Sequence, residues 1–165
     1  MKVVGLDLAG KETNPTGYCI LESAGEGKET RTRLLYSDQE IIESVTSDKP
    51  DILAIDAPIG YDGRLRNADE ELMRYGAVSP SLPGMNLLAE RGKAIKKSLR
   101  GKPVKVLEVN VAATSRILGV YDKKELGFQK KIMGLDLQGD FTTRLLVRDE
   151  LDAIIAALTG YLHHS

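Results

Sequence analysis

The chain has 165 residues, 42% hydrophobic and 28% charged, with 23 Lys and Arg against 24 Asp and Glu and a formal net charge of -1. This balance is that of one globular domain with a substantial core; it excludes a disordered or fibrous chain and a uniformly basic nucleic-acid binder, while leaving local patches open. No apolar run approaches the roughly 20 residues of a membrane-crossing helix, and Met1-Lys2-Val3 runs straight into the first expected strand, so neither a span nor a signal peptide is expected and the cytoplasm is the expected compartment.

Residues 3–10, VVGLDLAG, read as a buried strand ending in a Gly-rich turn. Asp7 falls near the strand's end, where a carboxylate is costly unless something compensates it. Asn14-Pro15-Thr16-Gly17 marks a turn, 18–22 a second strand, Gly25 to Gly27 another turn, and 30–36 a third strand with period-two alternation. Three antiparallel strands in succession are therefore expected. Cys19 lies in the second; as the only cysteine it has no disulfide partner, which suits a reducing compartment and a small core residue.

Ser37 or Asp38 then caps a helix whose apolar face is Ile41, Ile42 and Val45. Lys49-Pro50 ends it, and 51–56 reads as a central strand covered on both faces and reached by a parallel crossover. That strand ends in Asp56, followed by Ala57-Pro58-Ile59-Gly60, which cannot continue it. A polar helix is expected over 67–75, an irregular Pro-rich loop over 79–84, a helix with a basic face over 85–99, and a strand over 104–109 with Glu108 near its end. Helices follow over 112–118, 123–133 and 148–162. In the last, Leu151, Ile155, Leu158 and Leu162 form a core stripe, and Ala153, Ala156, Ala157 and Gly160 permit close approach to a sheet. The succession predicts one α/β domain over 1–165, a mixed sheet with helices on both faces.

Two strands thus end in an aspartate followed by a breaker. The ends of neighbouring parallel strands lie side by side, so Asp7 and Asp56 can approach within a few ångströms. Asp149 and Asp152, spaced i, i+3, share one face in the first turn of the last helix. Converging carboxylates must either protonate or bind cations, and an oxygen-only ligand set suits Mg²⁺ or Mn²⁺. Two such ions can clamp the attacking and leaving oxygens of a phosphodiester displacement, one of them activating water. The only histidines, His163 and His164, are terminal, so Ser-His-Asp, Cys-His and Cys/His zinc chemistries lack their residues. Each acid also has an ordinary reading as a turn, cap or first-turn residue.

Residues 5–12, GLDLAGKE, nearly match a phosphate-cradling loop, but Glu12 stands where the Mg²⁺-binding hydroxyl is needed and the chain leads into a strand rather than a helix. Charge is uneven: 12 Lys and Arg against 4 Asp and Glu over 85–131, and 4 against 10 over 36–76. Arg91, Lys93, Lys96, Lys97, Arg100 and Lys102 are candidates for phosphate contact, or else a solvated helix face; no aromatic residues are interleaved for base stacking.

VVGLDLAG with its hairpin, IDAPIG, EVNVAAT and DELDAIIAALTGYL together resemble the domain-of-unknown-function family four hundred and twenty-nine, predicted nucleases of ribonuclease H-like fold, over nearly the whole chain. The resemblance implies a five-stranded mixed sheet in the order 3-2-1-4-5 with flanking helices. Holliday-junction resolvases of the same superfamily carry an acid on the first strand, one on the fourth, and D-x-x-D-A opening the last helix. Asp7, Asp56, and Asp149 with Asp152 and Ala153 match these positions. Glu108 looks like a glutamate typical of the family, without a clear resolvase counterpart, and is assigned a supporting role. Asp56 stands where resolvases usually have Glu, one methylene longer.

Three functions are open at this point. The first is a Mg²⁺- or Mn²⁺-dependent nuclease acting on DNA or RNA, with Asp7, Asp56 and Asp152 as metal ligands and Asp149 as a further catalytic acid. The second is an inactive module of the same fold that docks nucleic acid or protein through its basic face. The third is a nucleotide-binding ATPase- or kinase-like domain, although a single copy leaves no second wall around a nucleotide.

Overall fold

The computed structural model describes residues 1–25 and 27–164. At its centre is β1, Lys2–Asp7, in which Val3, Val4 and Leu6 are all fully buried, as a strand covered on both faces requires. β2, Thr16–Ala24, pairs antiparallel with β1, and β3, Gly27–Leu35, pairs antiparallel with β2. The turn expected over Gly25 to Gly27 includes residue 26, which lies outside the described residues. On the other side of β1, β4 (Ile52–Asp56) and β5 (Lys105–Val109) add in parallel.

Among the described residues the sheet has six strands, not the expected five. β6, Gln138–Gly139, pairs parallel with β3 at the edge, giving the order β5-β4-β1-β2-β3-β6. Within that order the first five strands keep the relative positions expected of them. Two residues carry no periodicity by which a strand can be read; the pairing is made by the returning chain, where the Thr30 hydroxyl donates to the Gln138 carbonyl at 3.0 Å.

α1, Asp38–Asp48, is capped by Ser37 rather than Asp38, in a capping box with Glu40. α2 spans Asn67–Met73, α3 Met85–Ser98, α4 Val111–Ile117, α5 Glu125–Ile132 and α6 Arg148–His164, with one 3₁₀ turn over Asp140–Thr142. Among the described residues no helix is long and apolar enough to cross a membrane. Strand alternation divides the core into two layers. Val4, Leu6, Leu53 and Ile55 pack with Ile41, Val45, Ile95 and Leu99 of α1 and α3 and its flank. Val3, Cys19, Ile52 and Ala54 face Phe128, Leu151, Ile154 and Ala157 of α5 and α6.

α6 lies unusually close to the sheet because two strand positions lack side chains. A Cβ on Gly5 would sit 2.3 Å from the Ala153 carbonyl oxygen, and one on Gly17 would sit 1.8 Å from that of Asp149. The small residues expected to permit this approach do face the sheet, but Leu162 does not complete the core stripe; it is 50% exposed. Gly160 already lies over Val3 and Ile52, at the strands' starting edge, so the next turn of α6 runs past the sheet.

Candidate active site

Asp7 ends β1 and Asp56 ends β4, and the two are paired directly in the parallel register. Period two puts them on the same side: Val3 and Gly5 precede Asp7 on the α6 face, as Ile52 and Ala54 precede Asp56. The close docking of α6 then brings its first turn, with Asp149 and Asp152, against the same strand tips. The four aspartates expected from the sequence therefore converge, and each of them feels another as a nearby negative charge or a hydrogen-bonding partner.

Asp7 and Asp56 reach the surface only in part, and desolvation dominates their electrostatics. Burial, followed by the charges of Asp56, Asp152 and Asp149, holds the Asp7 carboxyl well above the ordinary carboxylate range, with Arg148 opposing the rise. Burial raises Asp56 to about 7 despite a hydrogen bond it accepts from the Val111 amide at 3.2 Å, in the first turn of α4; Asp152 and Glu108 add to the rise. Burial also raises Asp149, where Asp7 weakly opposes the rise, and Asp152, which the Arg148 guanidinium partly offsets. One oxygen of Asp152, Oδ2, accepts from Arg148 Nε at 2.9 Å; the other, Oδ1, is buried without a partner.

Asp7 and Asp56 open onto a cleft of about 530 Å³ above the strand tips, walled by Leu72, Val78, Met85 and Leu88 and carrying Asn110, Thr114 and Thr159 at its polar side. Its size is that of a small-molecule site. Asn110 caps α4, its side-chain oxygen accepting from the Ala113 amide at 2.9 Å.

Glu108 lines the same cleft as Asp7 and Asp56, together with Arg66 and Asp69, but reaches it from the other face of the sheet. It pairs in register with Ile55, one position before the Asp56–Val109 pair, so alternation turns it to the opposite face of the sheet from Asp7 and Asp56. There it accepts from the Gly60 amide at 2.6 Å and from the Arg66 guanidinium, which also binds Asp69. Glu108 thus ties the 57–66 segment over the strand tips.

The candidate basic surface is split. Arg91 is buried, with its guanidinium donating to Asp38 Oδ1 at 2.7 Å and to the carbonyls of Ala9 and Tyr36 at 2.6 Å each, so it holds loops together and is not presented to a phosphate. Lys93 donates to the Tyr61 carbonyl. With Lys93, the side chains of Lys96, Lys97, Arg100 and Lys102 line a separate hollow of about 420 Å³ beside Val104 and Val106, on the α3 face of the sheet.

The residue that sequence reasoning missed is Arg148. Its i, i+4 spacing to Asp152 is the signal that identifies it. As to a cation, the donors are all carboxylate oxygens, one of them buried and unpartnered, which fits Mg²⁺ or Mn²⁺. Among the described residues, however, no three acidic side chains lie close enough to ligate one ion where they stand.

No family model matches the chain, and no curated protein matches its sequence. Solved structures do. The fowlpox virus Holliday junction resolvase superposes with a TM-score of 0.54 over 99% of this chain and 97% of its own, at 14% identity. The yeast mitochondrial Holliday junction resolvase Ydc2 superposes with a TM-score of 0.53 over 94% of this chain and 75% of its own, also at 14% identity. The chain therefore has the α/β fold of these resolvases, consistent with a ribonuclease H-like architecture. At such identity the likeness carries the fold alone, and it leaves the numbered family as a motif resemblance.

Proposed function

We propose that this protein is a divalent-metal-dependent nuclease that hydrolyses phosphodiester bonds of nucleic acid, with DNA as the favoured substrate. The observation that carries the reading is the side-by-side pairing of Asp7 and Asp56 on the face against which α6 sets Asp149 and Asp152. Carboxyls desolvated and coupled in this way favour a cation in place of protons. Asp7, Asp56 and the free oxygen of Asp152 would hold Mg²⁺ or Mn²⁺, with Asp149 supporting. When bound, the metal supplies an activated water and charge stabilisation at the phosphorus. The resolvase fold supports the same reading, as does the cleft beside the acids.

The test is Mn²⁺-dependent cleavage of single-stranded, duplex, hybrid and branched substrates, with Asp7→Asn as the control. Cleavage by the wild type that Asp7→Asn abolishes is the expected result; no cleavage of any substrate overturns the reading.

A second reading, an inactive nucleic-acid-binding module, is favoured by one observation: the acids do not form a closed three-ligand set as they stand. Salt-dependent binding that survives Asp7→Asn, with no cleavage, selects it.

A further inference from the structure

The cleft above the strand tips is lined by four acids, Asp7, Asp56, Asp69 and Glu108, and, among the described residues, by one cation, Arg66. That cation is fully engaged. Its Nε and Nη2 donate to Asp69 at 2.9 and 2.6 Å, and its Nη1 and Nη2 donate to Glu108, so all four carboxylate oxygens of these two acids already accept from it. The lining has no positive charge left to offer, and an anionic group inside it would face Asp7 and Asp56 without a counter-charge.

Asn110 supplies what the charges do not. It stands between Val109, which pairs with Asp56 in the β4–β5 ladder, and Val111, whose amide donates to Asp56 Oδ1. Its side-chain oxygen accepts from the Ala113 amide at 2.9 Å; only the oxygen of an amide can accept from an N–H, so the cap fixes which end of the side chain is free. The free end is Nδ2, which makes no hydrogen bond among the described residues and keeps two donors for a ligand. The Thr159 hydroxyl, by contrast, donates to the Ile155 carbonyl at 2.7 Å.

A ligand matched to this lining is uncharged, carries an acceptor on its edge, and has apolar faces for Leu72, Val78, Met85 and Leu88. In a nucleic acid that is the chemistry of a base and not of a phosphate. We propose that the cleft receives one unpaired nucleobase of the substrate strand, with Asn110 Nδ2 donating to an acceptor on its edge and the apolar wall covering its face. A volume of about 530 Å³ suits one such group and not a duplex. A base inside a duplex has its pairing edge and both faces occupied, so the substrate has a nucleotide outside base pairing, as a single strand or a branch point does. The inference rests on the nucleic-acid reading above and adds which part of the substrate enters the cleft.

The test is a nuclear magnetic resonance titration of the intact chain in EDTA, which reads the Asn110 side-chain NH₂ resonance and the Val78 methyls. The probes are the common deoxynucleosides, which carry a base without phosphate, and inorganic phosphate, which carries the reverse. At least one nucleoside is expected to shift both sets of resonances, and phosphate neither. Asn110→Ser keeps a hydroxyl that can cap α4 but removes the amide donors; it is expected to weaken nucleoside binding about 3- to 10-fold while the Val78 shift persists. A single-stranded oligonucleotide is expected to move the Asn110 resonance and its duplex to leave it in place. Shifts with phosphate equal to those with nucleosides, no shift with any nucleoside, or equal shifts with duplex and single strand each overturn the inference. Because binding is read without metal, Mn²⁺-dependent cleavage alongside any of these results leaves the nuclease reading standing, and nucleoside binding without cleavage leaves the cleft assignment standing.

Discussion

Asp7 and Gly17 face each other across the β1–β2 ladder, and the backbone carbonyl of Asp149 fills the space that a side chain at residue 17 would occupy. The missing side chain is what brings the first turn of α6 down to the tip of β1. A carboxylate at the end of one strand and two on a distant helix become one cluster through this close approach.

Gly17→Ala is therefore expected to cost more than a surface substitution. A Cβ 1.8 Å from backbone cannot be relieved by a rotamer change, so α6 must lift. Overpacking of this kind costs about 2–3 kcal/mol, or roughly 4–12 °C in Tm for a chain of this size. Gly5→Ala should behave similarly, whereas Gly10→Ala, whose nearest neighbour would be 4.0 Å away, should change Tm little. Thermal unfolding of the three variants, with Mn²⁺ affinity as a second readout, checks the prediction.

Stability without metal should fall as pH rises from about 4 to 7. Asp56 is held at about 7 in the folded protein, above its ordinary value of 3.8. Between those values the folded state binds more protons than the unfolded state, and stability declines with pH wherever it does so. Asp56→Asn, which can still accept from the Val111 amide, should flatten that decline and stabilise the apo protein at pH 8 by about 2–4 kcal/mol, the lower figure allowing for the acid's open side. Urea unfolding of both forms at pH 5 and pH 8 measures this; an equal stability difference at the two pH values contradicts it.

Mn²⁺ should stabilise the wild type at pH 8 far more than at pH 5, since protons compete for the same raised carboxyls. Asp7→Asn should abolish the stabilisation. Glu108→Gln should retain it, because Glu108 is committed to Gly60 and Arg66 on the other face of the sheet. The expected effect of Glu108→Gln is a loosened 57–66 segment, read as faster limited proteolysis there.

The basic residues of α3 and its flank should separate into two behaviours. Arg91→Ala leaves Asp38 and two carbonyls without their partner and is expected to cost about 3–5 kcal/mol of stability. Replacing Lys96, Lys97, Arg100 and Lys102 by Ala should leave Tm nearly unchanged. If that hollow binds the backbone of a nucleic acid, the quadruple variant lowers the salt slope of binding by about 0.9 for each phosphate no longer neutralised. An unchanged slope excludes the surface from the interface.

Much of this molecule is written in local sequence. Strand tips at Asp7 and Asp56 are legible because each ends an apolar run in an acid followed by residues that cannot extend it, and α6 is legible from its stripe of apolar and small residues. The order of the first five strands follows from the motif resemblance and agrees with the pairing; the two-residue β6 has no period to announce it, and only the pairing of Thr30 with the returning chain at Gln138 makes it a strand.

What the sequence by itself determined is which residues are acidic and where strands stop, because propensity, periodicity and chain-breaking residues act within a few positions. Only the tertiary structure decided which acids meet. Glu108 stands one residue short of its strand's end, where the aspartates end theirs, so register with Ile55 sets it on the other face of the sheet from Asp56 although it lines the same cleft, and that one-residue difference in pairing is decided between strands. Arg91 is drawn into the core by three acceptors from distant segments, and Arg148 is set beside Asp152 and caged by Phe128, Tyr121 and Asp122. Most of those partners are brought together by folding across long sequence separations, so the charge balance of the site is a property of the packed helix and sheet.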